Sequence, residues 1–227
     1  MNRVFQDIVR KLFSLAGLKV HKYDRLFPEL WSSNKEFQLL FKEIDGRTLV
    51  SQDRCFMLYQ LSQYANNKNG EIAELGVYKG GTARLIAKTC PNKRVHLFDT
   101  FEGMPLSDKT IDFHKLGDFS DTSLDSVKAF LKGCDNVIFH PGFFPSTGDE
   151  VRDNKFSLVY IDVDIYKSIK DCLEFFYDRV VPGGVILIDD YESKYCTGVK
   201  KAITEFLSDK PEKQIVTAKY QCMILKY

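Results

Sequence analysis

The chain has 227 residues, with 32 Lys and Arg against 31 Asp and Glu, a formal net charge of +1. That balance supplies no field for nucleic acid or an anionic membrane, so the expected partner is a small molecule. The length suits one α/β domain with a sizeable core, and no run approaches the roughly 20 apolar residues a transmembrane helix needs.

In chain order, Val4, Phe5, Ile8, Val9, Leu12, Phe13 and Leu15 recur at helical spacing and predict an amphipathic helix over 2–15 with a basic opposite face. Docking onto the domain is the plain reading of that helix; a homodimer contact or a membrane-surface contact is the alternative. Residues 21–33 read as irregular. Ser33 and Ser51 are placed as N-caps, the first before Phe37, Leu40 and Phe41, the second before an apolar-periodic helix over Cys55 to Tyr64. Residues 1–50 together read as a helical lid or docking segment, and the catalytic domain is expected over 51–227.

From residue 71 onward, strands and helices alternate, the sequence form of a doubly wound, Rossmann-like parallel sheet. Strands are expected at Glu71 to Val77, Val95 to Phe98, Val137 to Phe139, Leu158 to Ile161 and Val185 to Ile188. The helices between them are expected at Gly80 to Cys90, Leu124 to Leu131 and Ser168 to Arg179, the last stopped by Pro182-Gly183-Gly184. A helix over Val199 to Leu207 precedes two strands, Gln214 to Ala218 and Gln221 to Lys226. Too few residues separate these two for a helical crossover, so they are expected to pair antiparallel. The six cysteines show no CxxC pair or metal-ligand spacing and read as reduced core thiols of a cytoplasmic protein.

Two apolar strands end in acids where buried residues would otherwise continue: Tyr160-Ile161-Asp162-Val163-Asp164 and Leu187-Ile188-Asp189-Asp190. Neighbouring parallel strands would deliver all four carboxylates to one crevice, where they repel one another unless a cation intervenes. A hard ion such as Mg²⁺ suits an all-oxygen donor set. Helix capping is the plainer alternative for such acids.

The first strand runs into Glu74-Leu75-Gly76-Val77-Tyr78-Lys79-Gly80-Gly81-Thr82, a glycine turn that lets a ligand approach the backbone. Its spacing is neither GxGxxG nor a P-loop, and Glu74 would repel a pyrophosphate while attracting an amino group. Asp99, ending the second strand, occupies the place of a ribose-binding acid, although a loop-capping role is open to it. A ribose acid with a loop that is not built for pyrophosphate implies S-adenosylmethionine.

With Glu74 to Thr82 and Asp162 to Tyr166, further segments carry a resemblance: Phe98-Asp-Thr-Phe-Glu-Gly-Met-Pro105, Asp121-Thr-Ser-Leu124, Cys172 to Tyr177, Val181-Pro-Gly-Gly-Val185 and Ile188-Asp-Asp-Tyr191. From about Ser51 to Leu207 the chain resembles the macrocin O-methyltransferase family, metal-dependent methyltransferases of sugar hydroxyls. The resemblance implies a class I methyltransferase sheet, mostly parallel with an antiparallel strand near the C-terminus. It implies Mg²⁺ ligands at Asp162, Asp189 and Asp190, a general base at Asp164, and S-adenosylmethionine contacts at Glu74, Gly76, Tyr78, Asp99, Phe101, Gly103 and Ser123. It also implies a sugar-containing acceptor. Where the family often has Phe-Pro-Asp-Thr, this chain has Phe144-Pro145-Ser146-Thr147. Two rival readings are a metal-dependent glycosyltransferase using Asp162-x-Asp164, and a methyltransferase-like binding protein without catalysis.

Overall fold

The computed structural model describes residues 29–227; the helix expected over 2–15 lies outside them. Helices α1 (Lys35–Glu43) and α2 (Gln52–Asn66) lead into the sheet. The unit that carries the sheet begins at Glu36 rather than at residue 51. The reason is apolar: Phe37 and Ile44 are fully buried, and the Phe37 ring lies 5.0 Å from Phe56 and 5.6 Å from Tyr59 on α2. Neither serine caps by its side chain. Ser33 lies two residues before α1 and its hydroxyl donates to the Leu30 carbonyl, while Ser51 directly precedes α2 and donates to Asp53 instead.

The alternation follows as expected: β1 (Glu71–Leu75), α3 (Gly81–Thr89), β2 (Val95–Asp99), α4 (Leu124–Phe130), β3 (Val137–Pro141), β4 (Phe156–Ile161), α5 (Tyr166–Phe176), β5 (Val180–Asp189), α6 (Thr197–Phe206), β6 (Gln214–Ala218) and β7 (Gln221–Leu225). The seven strands are ordered β3-β2-β1-β4-β5-β7-β6. All pairs are parallel except β5 with β7 and β6 with β7, which are antiparallel. Every residue of β4 is buried, as a central strand covered on both faces requires.

Two local readings differ. Helix α5 stops at Phe176 and a 3-10 turn over Tyr177–Arg179 ends it, before Pro182 is reached. Pro182-Gly183-Gly184 lies inside the span of β5: Phe156 pairs with Val180 and Leu158 with Val185, so residues 181–184 bulge opposite Ser157. A 3-10 helix over Ser146–Val151 follows β3, in a segment with no helical periodicity to announce it.

The chain runs outward from β1 through β2 to β3, then crosses back to place β4 on the other side of β1. The order therefore reverses between β1 and β4, and ligands of such sheets bind in the crevice outside the carboxyl ends at that switch. Register brings Leu75, Phe98, Ile161 and Ile188 level, so Gly76, Asp99, Asp162 and Asp189 follow at one rim.

Candidate active site

A cavity of about 320 Å³ opens at this rim, lined among others by Gly76, Tyr78, Asp99, Gly103, Asp162, Asp164 and Asp190. Its size is at the lower end of the range of small-molecule pockets. Its walls include Leu49, Met104, Phe119, Phe143, Phe144 and Tyr195, apolar and aromatic surface around a carboxylate floor.

The strand ends leave the β conformation abruptly. Seven non-glycine residues among those described have positive φ, and four of them are site residues read from the sequence: Tyr78 (51°), Phe101 (55°), Asp164 (58°) and Asp190 (59°). Such backbone costs about 1–3 kcal/mol per residue and concentrates where a fold positions ligands. Gly76 (φ 86°) has another constraint: a Cβ there would fall 1.9 Å from the Asp162 carbonyl oxygen. The glycine turn and the first acid strand thus touch through backbone.

Asp99 ties the two cofactor-side loops together. Its Oδ2 accepts the Val77 and Tyr78 amides at 2.6 and 2.9 Å, and its Oδ1 accepts the Phe101 amide at 2.6 Å. The capping role is therefore filled, and one lone pair, on Oδ1, remains for a ligand hydroxyl. The Tyr78 hydroxyl donates to Asp121 at 2.8 Å. Phe101 is 97% buried, packs 6.1 Å from Phe139 and supports the loop from behind. Ser123 lies outside the cavity lining: it is the N-cap of α4 and its hydroxyl accepts the Ser126 amide at 3.2 Å.

Glu74 is fully buried one strand residue before the rim. Its Oε1 accepts the Thr82 hydroxyl at 2.5 Å, while Oε2 has no partner among the described residues. Burial pushes this carboxyl up to about 8 against the Thr82 hydrogen bond, which lowers it. A buried orphan oxygen beside a glycine turn fits a cationic group of a bound ligand. The raised value also has a stability consequence. The folded chain holds the proton more tightly than the unfolded one, so this contribution is complete below about pH 4.5 and is lost as pH rises through about 8. Glu74→Gln is expected to flatten that loss: thermal melts should show the variant gaining on the parent between pH 5 and pH 9, as compared at roughly those two values.

The metal-side acids do not all converge. Ligand oxygens of Asp162, Asp164 and Asp190 lie within 4.8 Å of one another. Asp189 stands behind them, fully buried: Oδ2 accepts the Tyr160 hydroxyl at 2.8 Å and Arg54 Nη1 at 3.1 Å, and Oδ1 accepts the Gln221 amide at 2.6 Å. Arg54 also reaches to 3.7 Å of Asp190. Burial, then the Asp189 and Asp190 charges, hold the Asp162 carboxyl well above the usual range. Burial and Asp190 push Asp164 up to about 7 against His114, and burial pushes Asp189 up to about 6 against Arg54. These groups exist as a charged set only with positive charge beside them, and an oxygen-only donor set of this size fits Mg²⁺.

Sequence reasoning missed Arg54, His114 and Cys196, all of which line the cavity. Arg54 comes from α2, 135 residues from its Asp189 partner; the only signal was that four clustered acids demand a cation. All six cysteines are free and buried, and among the described residues no helix is long and apolar enough to cross a membrane.

Comparison with known proteins identifies the fold and the family. The O-methyltransferase NovP superposes with a TM-score of 0.72 at 21% identity, over 86% of this chain and 99% of that one. An O-methyltransferase from Bacillus cereus, solved in complex with SAH, gives 0.55 at 16% identity over 96% and 97%. At such identities the likeness establishes the fold, a class I O-methyltransferase sheet. The 8-demethyl-8-(2,3-dimethoxy-alpha-L-rhamnosyl)-tetracenomycin-C 4'-O-methyltransferase of Streptomyces olivaceus is 31% identical over 148 residues, 58% of this chain and 57% of that protein. The mycinamicin III 3''-O-methyltransferase of Micromonospora griseorubida is 30% identical over 155 residues, 60% of each chain. The chain thus spans about three fifths of the length of these curated relatives. The sequence model of the macrocin-O-methyltransferase (TylF) family matches residues 44–221, from just after α1 through β1 to β6 and the first residue of β7, and the chain belongs to that family.

Proposed function

We propose that the protein is a Mg²⁺-dependent O-methyltransferase that moves a methyl group from S-adenosylmethionine to a hydroxyl of a sugar or glycosylated small molecule. The observation that carries this reading is one cavity at the β1/β4 switch with two faces: the loops of Gly76 and Asp99 on one side, Asp162, Asp164 and Asp190 on the other. The names of the sugar O-methyltransferase relatives support the acceptor class.

In this reading Glu74 draws the amino group of the cofactor toward the glycine turn, and Asp99 offers the remaining lone pair of Oδ1 to a ribose hydroxyl. Tyr78 and Gly103 border the same space, and Phe101 and Ser123 act through the shape of the loops rather than by contact. Asp162, Asp189 and Asp190 would hold Mg²⁺, although Asp189 lies behind the other two, bonded to Arg54, Tyr160 and Gln221. When bound, the sulfonium supplies an electrophilic methyl and the cation draws charge from the acceptor hydroxyl. With a divalent ion held there, its charge and that of Arg54 would balance three of the four carboxylates and leave one negative charge for a base. Asp164 is that base: its carboxylate lines the cavity beside Asp162 and Asp190, within reach of an acceptor hydroxyl bound there. Phe119, Phe143 and Phe144 exclude water around it.

The test is calorimetric titration of S-adenosylhomocysteine and of Mg²⁺ into the parent chain and Asp189→Asn. The cofactor product should bind both proteins and raise both melting temperatures by mass action. Mg²⁺ should bind the variant at least about tenfold more weakly, since a charged ligand to a hard cation is gone. Failure of the cofactor product to bind, with a sugar nucleotide binding instead, would replace the methyltransferase by a glycosyltransferase. Unchanged Mg²⁺ affinity would make Asp189 a brace and leave Asp162, Asp164 and Asp190 as the ligands.

A further inference from the structure

Beside the all-oxygen cluster lies a second one of different chemistry. His114 Nε2, Asp164 Oδ1 and Cys196 Sγ come within 4.8 Å of one another. The Cys196 thiol donates to Asp164 Oδ1 at 3.4 Å, Cys196 Sγ is 3.7 Å from His114 Nε2, and His114 Nε2 is 4.0 Å from Asp164 Oδ1. An ion bonded tetrahedrally at about 2.0 Å to nitrogen and oxygen and about 2.3 Å to sulfur sets its ligands roughly 3.3–3.6 Å apart. The three atoms therefore stand within about 0.7 Å of the edges of such a tetrahedron before any side chain moves.

Two further features belong to a metal site. The other imidazole nitrogen, His114 Nδ1, faces Asp118 Oδ2 at 3.4 Å, an arrangement that turns the Nε2 lone pair toward the cluster. Asp118 itself is fixed by the Lys115 amide at 2.9 Å. His114, Asp164 and Cys196 all line the cavity, so a further ligand from solvent can reach the cluster. Phe119 packs 5.1 Å from the imidazole and limits the access of water.

We propose that His114, Asp164 and Cys196 form a binding site for a borderline-soft transition-metal ion, Zn²⁺ in the first place, distinct from the Mg²⁺ site and sharing Asp164 with it. Ligand softness separates the two: a nitrogen, a sulfur and one carboxylate select Zn²⁺, whereas carboxylates alone select Mg²⁺. Binding replaces the thiol S–H bond with a zinc–sulfur bond and releases that proton to solvent. A consequence, which rests on Asp164 being the base, is that Zn²⁺ at this site ties up Asp164 Oδ1 and inhibits methyl transfer. The site itself does not depend on that reading.

The experiment uses Co²⁺ as a spectroscopic stand-in for Zn²⁺, titrated into the full chain with Mg²⁺ in excess and with neither cofactor nor acceptor present. One Co²⁺ per chain is expected, with a near-ultraviolet thiolate-to-cobalt charge-transfer band that Zn²⁺ abolishes and Mg²⁺ does not. Cys196→Ser should lose the band. No band in the parent chain, or a band that persists in Cys196→Ser, overturns the proposal. Should Cys196→Ser fail to fold, His114→Gln takes its place: at least about tenfold weaker Co²⁺ binding is expected, and unchanged affinity overturns the site. No readout involves methyl transfer, so failure here leaves the proposed activity standing, and failure of that activity leaves the site standing.

Discussion

Asp164→Asn is expected to slow methyl transfer by about 10²–10⁴-fold while S-adenosylhomocysteine binds as before. The substitution suits the question because Asn tolerates the left-handed backbone that Asp164 adopts at φ 58°, and keeps an oxygen for the Cys196 thiol. What it removes is the capacity to take a proton. Asp162→Asn should behave differently, losing Mg²⁺ first and rate as a result. The measurement is single-turnover rate beside Mg²⁺ affinity for both variants, with an acceptor selected from a panel of glycosides. If Asp164→Asn loses the ion as severely as Asp162→Asn, or retains its full rate, the base lies elsewhere.

Gly76→Ala is expected to carry the second large effect, through space rather than chemistry. The new Cβ would sit 1.9 Å from the Asp162 carbonyl oxygen and 2.8 Å from its carbon, both backbone atoms with no rotamer to yield. Left-handed strain and overpacking each cost about 1–3 kcal/mol, so a loss of about 3 kcal/mol or more is expected. For a chain of this size that lowers the melting temperature by roughly 6–12 °C. Gly117→Ala is the control: it shares a positive φ of 85° but has nothing within 4 Å of the added atom. A melting temperature for Gly76→Ala no lower than that of Gly117→Ala would mean that β1 and β4 part at little cost. The cofactor product should also fail to stabilise Gly76→Ala, since relief of the clash moves the glycine turn.

The strands and helices were legible because their signals are local. Apolar runs such as Leu158 to Ile161 and Val185 to Ile188 are bounded by residues that end them, and the acids stood out because carboxylates interrupt those runs. Pro182-Gly183-Gly184 spells a turn in the sequence and forms a bulge in the structure, because a bulge inside a strand and a turn before it use the same residues. What could not be read depends on distant partners. Arg54 reads as one more polar residue of a helix until β5 arrives beside it. His114 and Cys196 lie 82 residues apart, one in a loop without periodicity and the other just before α6. Asp99 was read as a ribose acid from its place after β2, but its grip on three backbone amides is a property of loop conformation.

The place of β7 in the sheet makes it the brace of β5. It pairs with β5 late in the sequence yet lies inside the sheet, between β5 and β6. Until it inserts, β5 is an open edge, Asp189 lacks the Gln221 amide that holds Oδ1, and the outer side of the acid cluster is unbraced. The chain returns from β5 to β7 over a shorter stretch than separates β1 from β4, so this closure costs less loop entropy than the pairing that joins the two halves of the sheet. With β7 withdrawn, the exposed edge of β5 is where the chain is most open to pairing with another copy.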